Sequence, residues 1–219
     1  MIIKHISTLA VAATMVLLSG CETEMEITLF TSDMLELEGD VEADAQLFFE
    51  IPHDEWLEED NNQANLSHFL TKHFGKLGEF STKTIEFTSF CIIPFKTVIT
   101  DDKKNPNMFG LSRKETEDSL DVYCEINPEK FKTFKDAVSD EFFSTVKFED
   151  VKFRLLLDND TKETVKVTGY SAYLGKLPAA FEGSVMLGKR KELTMQISQI
   201  HMATIKSGGK SRLLSLSKN

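Results

Sequence analysis

The sequence predicts an α+β fold: a mostly antiparallel β-sheet, two amphipathic helices and a β-rich C-terminal half. Three observations carry this. Short segments that alternate apolar and polar residues recur along the chain and become regular from residue 151 onward, as strands with one buried face require. Two stretches, Gln63–Leu77 and Pro128–Thr145, instead space large apolar residues three and four apart. Clusters of Asp, Asn, Gly and Lys separate the strands, as turns do.

Taken in order, Glu24–Phe30 alternates Met25, Ile27 and Leu29 against polar neighbours and reads as a strand. Thr31-Ser32-Asp33 caps a short turn of helix through Leu37. Val41–Ile51 resumes alternation, and Leu47-Phe48-Phe49 suggests burial on both faces. Pro52–Asn62 is an acidic connector. Its Trp56 is either an exposed anchor for a partner or a plug over the core. Leu66, Phe69, Leu70, Phe74 and Leu77 form one face of the first helix. Lys83–Thr100 is β-rich and broken at Pro94, which suits an edge or a bulge. Residues 101–117 read as an exposed loop.

Ser119–Ile126 is the next strand. Asn127 then stands at a helix cap with Pro128 at the first helical position, and Phe131, Phe134, Val138 and Phe142 fall on one stripe. Val151–Leu157 and Thr164–Tyr173 read as a hairpin around Asp158-Asn159-Asp160-Thr161. Phe181–Leu187 and Glu192–Ile197 read as another around Gly188-Lys189-Arg190-Lys191. Arg212–Ser217 adds a short final strand. There is no fixed-period repeat. A subdomain boundary, if there is one, falls near 146–150.

The N-terminus has its own logic. Lys4 gives a small basic region, Ile6–Leu18 an uncharged apolar run, and Ser19-Gly20 a small-residue step before Cys21. The run is shorter than the roughly 20 residues a membrane helix needs. Leu18-Ser19-Gly20-Cys21 resembles the lipobox of bacterial lipoproteins. The resemblance implies a signal peptide over residues 1–20 and a mature extracytoplasmic domain over 21–219. It also implies a diacylglycerol on the Cys21 sulfur, with a further acyl chain, such as palmitate, on the new N-terminus. Two or more chains anchor a protein stably where one does not. Glu22 rather than Asp after the cysteine favours the outer membrane, facing the periplasm, where the organism has one. Around Leu155-Leu156-Leu157-Asp158-Asn159-Asp160 and Met195-Gln196-Ile197-Ser198 the C-terminal part also resembles uncharacterised prophage-type lipoproteins, which implies no site.

With Cys21 taken by lipid, Cys91 and Cys124 remain, an even pair in an oxidising compartment. Both stand on the apolar phase of strands, so adjacent strands would bring them together. The bridge would contribute about 3–4 kcal/mol. The alternative is two buried free thiols. Charge is uneven. The net is −10, residues 22–71 hold no Lys or Arg, and the basic residues of 183–219 face Glu192 alone. The acidic segment would be repelled by anionic headgroups and would hold the domain off the surface. Net acidity without an aromatic-rich basic motif argues against nucleic acid.

No cofactor, metal or catalytic constellation emerges. His53, His68, His73 and His201 lack ligand spacing, since His68 and His73 are five apart. Asp158-Asn159-Asp160 opens like a calcium loop, but Glu163 stands where Gly is needed. Ser207-Gly208-Gly209-Lys210-Ser211 echoes the end of a phosphate loop, but Thr204 stands where its first Gly belongs. No G-x-S-x-G occurs. The sequence therefore points to a non-enzymatic interaction or binding module tethered to the membrane through Cys21, with another envelope protein as partner. The alternatives are an envelope hydrolase that assembles the acidic stretch with a histidine such as His53, and a carrier of an apolar ligand between a curved sheet and the Phe-bearing helices.

Overall fold

The computed structural model describes residues 23–36, 38–59, 61–101, 107–142, 151–206 and 209–218. Residues 1–20, Cys21 and the 146–150 boundary lie outside the described residues. Eleven strands form one sheet: β1 (Thr23–Phe30), β2 (Val41–Ile51), β3 (Ser81–Ile85), β4 (Thr88–Asp101), β5 (Phe109–Glu115), β6 (Leu120–Ile126), β7 (Val151–Asp158), β8 (Val165–Leu174), β9 (Leu177–Leu187), β10 (Glu192–Ile197) and β11 (Ser211–Lys218). Nine follow one another in a closed circuit, β10-β7-β1-β2-β4-β5-β6-β11-β8 and back to β10, while β3 hangs on β4 and β9 on β8. The fold is α+β and β-rich, and its sheet is a barrel built from strands on both sides of residues 143–150.

Two of the nine circuit contacts, β1–β7 and β4–β5, are parallel and seven are antiparallel. An odd number of reversals cannot close a ring of straight strands, so one strand must itself change direction. That strand is β8. Its Val165–Gly169 segment lies along β11 and its Ala172–Leu174 segment along β10, both on the edge opposite β9. The corner falls at Ser171, whose φ of 43° is left-handed. Across from it β9 bulges at Ala180 and Phe181, and Ser171 Oγ donates to the Ala180 carbonyl at 3.1 Å. The hairpin thus folds on itself. A Cβ on Gly169 would stand 2.6 Å from Leu174, and one on Gly183 2.8 Å from Ala179. Only glycine permits that approach.

Inward residues recur along the strands of the circuit and fill the barrel, as expected at this strand number. Ile27, Leu47, Ile93, Leu111, Phe153 and Leu155 are almost fully buried. Phe109 and Phe153 meet edge to face with ring centres 4.6 Å apart. Among the described residues four α-helices complete the fold: α1 (Thr31–Glu36), α2 (Asn62–Phe74), α3 (Pro128–Phe142) and α4 (Gln199–Lys206). The β4–β5 ladder spans only Ile99–Asp101. Beside the part of β4 that β5 leaves unpaired, Phe74 packs on Phe95 at 5.3 Å and on Phe134 at 5.9 Å, joining α2 and α3 to the barrel. The cap of α3 is as expected, with the Lys130 amide donating to Asn127 Oδ1 at 3.1 Å. Pro94 is also where the sequence suggests. There β4 has a strand on one side only, and its other side receives the Gly78 amide at 2.7 Å. Trp56 is the plug, 2% exposed.

Four expectations are corrected. Residues 101–117 are not a loop throughout, because Phe109–Glu115 forms β5. Neither expected hairpin exists: β7 pairs with β1 and β10, and β9 pairs with β8, so the true hairpin turns at Gly175-Lys176. A helix, α4, also lies over Gln199–Lys206, a stretch to which the sequence reading assigns no element. The Cys91–Cys124 disulfide is not made, and both cysteines are buried free thiols. Their strands are not neighbours. Leu111 of β5 stands between Cys124 and Ile99, and Cys91 is a further eight residues down β4, about 26 Å of strand. A disulfide needs Cα atoms within about 7 Å.

Candidate functional site

The barrel has two rims. One gathers the start of β1, the end of β2, the start of β7, the end of β10 and the start of β11. The other gathers the opposite ends of these strands. On the second rim Arg113, 3% exposed, donates to the carbonyls of Asp33 and Met34 in α1 at 3.0 and 2.9 Å and of Gly39 at 2.8 Å. A guanidinium on helix-terminal carbonyls satisfies acceptors that the helix cannot. Around it lies a cavity of about 430 Å³ whose lining includes Glu36, Glu38, Asp101, Glu115, Glu117 and Asp118.

Asn159 organises the same rim. Its side chain is fully buried. Nδ2 donates to the Glu163 and Leu187 carbonyls at 2.8 and 2.9 Å, while Oδ1 accepts from the hydroxyls of Thr31 at 2.9 Å and Thr161 at 2.7 Å. The backbone joins in, since the Asn159 amide donates to the Lys191 carbonyl at 2.9 Å and the Arg190 amide to the Asn159 carbonyl at 2.7 Å. One residue therefore fastens α1, the β7–β8 connection and the β9–β10 turn. Asp160 adds two bonds from Ser32, one from its amide at 2.9 Å and one from its hydroxyl.

Two further ionisable groups are buried. Asp121, on the outer face of β6, accepts from Ser215 Oγ at 2.5 Å and from Tyr123 and Arg212 at 3.2 Å each. Burial pushes its carboxyl up, but those hydrogen bonds and the Arg212 charge outweigh it and hold the carboxyl below the ordinary range. The cation of Arg212 lies 4.0 Å from the Tyr170 ring centre, and Lys210 lies 4.9 Å from that of Tyr123. His201 of α4 is 7% exposed and lies between Ser211 Oγ and the Tyr170 carbonyl, 2.5 Å from each. A carbonyl only accepts, so Nε2 donates to the Tyr170 carbonyl, and Nδ1 shares the other hydrogen bond with the Ser211 hydroxyl. This ties α4 to β11 and to the β8 corner.

The other histidines stand apart. His53 is half-exposed, 3.7 Å from Glu59. His73 lies among the rings of Phe69 and Phe134, at 5.1 and 5.0 Å. His68 is exposed. Among the described residues no three His, Cys, Asp or Glu side chains are gathered closely enough to hold a metal. Cys91 and Cys124 face the core. Burial pushes the Cys91 thiol up to about 12 and the Cys124 thiol well above its ordinary value, so neither is a nucleophile.

The surface carries the remaining features. β9 is eleven residues long and, among the described residues, pairs only with β8. Phe181 on it is 88% exposed, Met186 53% and Leu177 46%, and Glu182 is its one charge. Phe87, at the β3–β4 tip, is fully exposed, and Ile200 of α4 is 69% exposed. Sequence reasoning missed Arg113 and Asp121, and weighed His201 only as a metal ligand and Asn159 only within a turn or calcium loop. Arg113 had one visible signal, a charge on the apolar phase of Phe109 and Leu111.

These features define a mixed β-barrel domain with a filled interior and its unsatisfied surfaces outside. The chain belongs to the family described as Domain of unknown function (DUF7424), whose family model matches residues 23–219. No curated protein matches it.

Proposed function

We propose that the protein is a lipid-anchored cell-envelope lipoprotein acting as a non-enzymatic interaction module. The observation that carries this is β9. A long edge strand with one charge and several exposed apolar side chains is a template for another chain. The near half of β9 is blunted by Pro178 and the bulge at Ala180-Phe181, whereas Glu182–Leu187 is regular. A second envelope protein adds a strand there, with Phe181 and Met186 as its apolar contacts. Cys21 carries the diacylglycerol and holds the domain at the membrane, on the periplasmic face of an outer membrane where one exists.

Two alternatives are weaker. A carrier needs an apolar pocket of several hundred cubic ångströms, whereas the cavity of about 430 Å³ around Arg113 is lined by carboxylates and the space beside Met25, Ile27, Phe95 and Phe109 is about 20 Å³, room for one water. A hydrolase has one observation in its favour, the Ser211–His201 pair, but both side chains are buried beneath α4 and engaged. The test is a photo-crosslinking residue at position 186 in cells. A discrete protein adduct that Phe181→Asp diminishes is expected. Background labelling equal to that from position 162 would refute the module. In parallel, labelled palmitate enters the wild type and not Cys21→Ser.

A further inference from the structure

We propose that the rim at the start of β1 is seated on a zwitterionic bilayer surface, with Phe87 and Ile200 inserted among the headgroups on either side of the anchor. This rests on acylation of Cys21 and goes beyond it, because an anchor alone does not orient a domain.

The tether fixes the geometry. Thr23 is already held in the sheet, opposite Phe49 of β2 and Val151 of β7. Cys21 is two residues away, and two residues span at most about 7 Å. A lipid on that cysteine therefore holds this rim, and no other part of the barrel, against the membrane.

Two apolar side chains project from the same rim. On one side the register runs Thr23 to Phe49 to Cys91, and Phe87 lies four residues further along the chain, about 13 Å of strand. The tip turns through Glu86, with a φ of 58°, leaving Phe87 fully exposed and Ile85 46% exposed. On the other side, β10 runs toward the same rim, its last pair with β7 being Gln196 with Arg154, and α4 begins there at Gln199 and packs on β11 and β6. Ile200 follows at once, 69% exposed. Phe87 is two strands from β1, roughly 10 Å. In water both are unburied hydrophobic surface, and at a bilayer both are covered.

Charge selects the kind of surface. Glu24, next to the tether, is paired with Arg154, which also reaches Glu26 at 3.3 Å. Asp54, Glu55 and Glu86 stand on the Phe87 side of this rim, where Asp54 accepts from Thr84 at 2.8 Å, while Lys206, Lys210 and Arg212 stand on the Ile200 side. Anionic headgroups would repel these carboxylates. Apolar insertion into phosphatidylethanolamine or phosphatidylcholine is what the rim suits.

The test couples residues 21–219 through the Cys21 thiol to a maleimide phospholipid in phosphatidylcholine–phosphatidylethanolamine vesicles. Cys91 and Cys124 are buried and do not compete. Phe87→Trp and, on the opposite rim, Glu117→Trp are compared with brominated acyl chains as quencher, with buried Trp56 as the common background. Phe87→Trp emission shifts to the blue and is lost on bromination, Glu117→Trp emission is unaffected, and adding phosphatidylglycerol weakens the first effect. Equal emission from both variants with and without bromine would overturn the proposal. So would a photo-crosslinker at position 87 that captures a protein instead of lipid in cells. Because the lipid is attached chemically, this result is independent of whether cells acylate Cys21, which the palmitate experiment reads separately.

Discussion

Replacing Asn159 tests the central claim about how the barrel is fastened. Asn159→Ala removes five side-chain hydrogen bonds, taking the Nδ2 donor from the buried Leu187 carbonyl and leaving the fully buried Thr31 hydroxyl only its longer bond to Asp160 Oδ1 at 3.4 Å. Stripping the one and weakening the other costs about 1–3 kcal/mol each, so the loss centres on roughly 4 kcal/mol. In a domain of this size that lowers the melting temperature by about 8–16 °C. Asn159→Asp keeps the shape but sets a carboxylate against two carbonyls that can only accept. Its folded-state pKa must then rise above the unfolded value of about 3.9. The sign follows. The penalty is absent below the unfolded pKa, where both states are protonated, and is complete once pH has risen past the folded one. Urea unfolding followed by circular dichroism, at a series of pH values, reads both variants. A loss below about 1 kcal/mol for the alanine variant, smaller than one orphaned group, would refute the reasoning. So would an aspartate variant whose deficit does not change with pH.

Two further outcomes are expected. Asp121 has a depressed folded pKa, so its contribution is present above about pH 4 and is lost as pH falls through the folded value. Asp121→Asn should cost about 1–3 kcal/mol at neutral pH and flatten the acid limb of the stability profile, with acid titration of both proteins as the check. Cys91 and Cys124 should resist iodoacetamide in the native protein and both react in urea without reductant. Mass spectrometry reads the result, and a chain that needs reduction first would restore the disulfide.

The elements were legible wherever one face is buried and the other wet. β1, β2 and β6 follow their alternation, and α3 follows its Asn-Pro start and its Phe stripe. β5 was hidden because its inward residue after Phe109 and Leu111 is Arg113, whose charge is met by carbonyls from α1, far away in sequence. The pairing of strands was less legible still. Gly188-Lys189-Arg190-Lys191 has the composition of a hairpin turn, yet its flanking strands part to different neighbours. What decides this is the β8 corner, whose signals are the small residues Gly169, Ala172, Ala179 and Gly183. Small residues in strands have many uses, so spacing alone does not reveal a fold-back. The candidate site was legible only as composition. β9 shows its single charge in the sequence, but its status as an edge is a property of the finished sheet.

The parallel contact between β1 and β7 sets the order in which the molecule can be made. Thr31 and Asn159, which follow those strands and bond to each other, are 128 positions apart. β6 reaches β8 only through β11, the last of these eleven strands in chain order. Local hairpins can form early, but the ring gains its closing partners only once β11 has been made, and contacts this distant make folding slow. A chain that stays open for so long can be threaded through a narrow channel before it becomes too wide to pass.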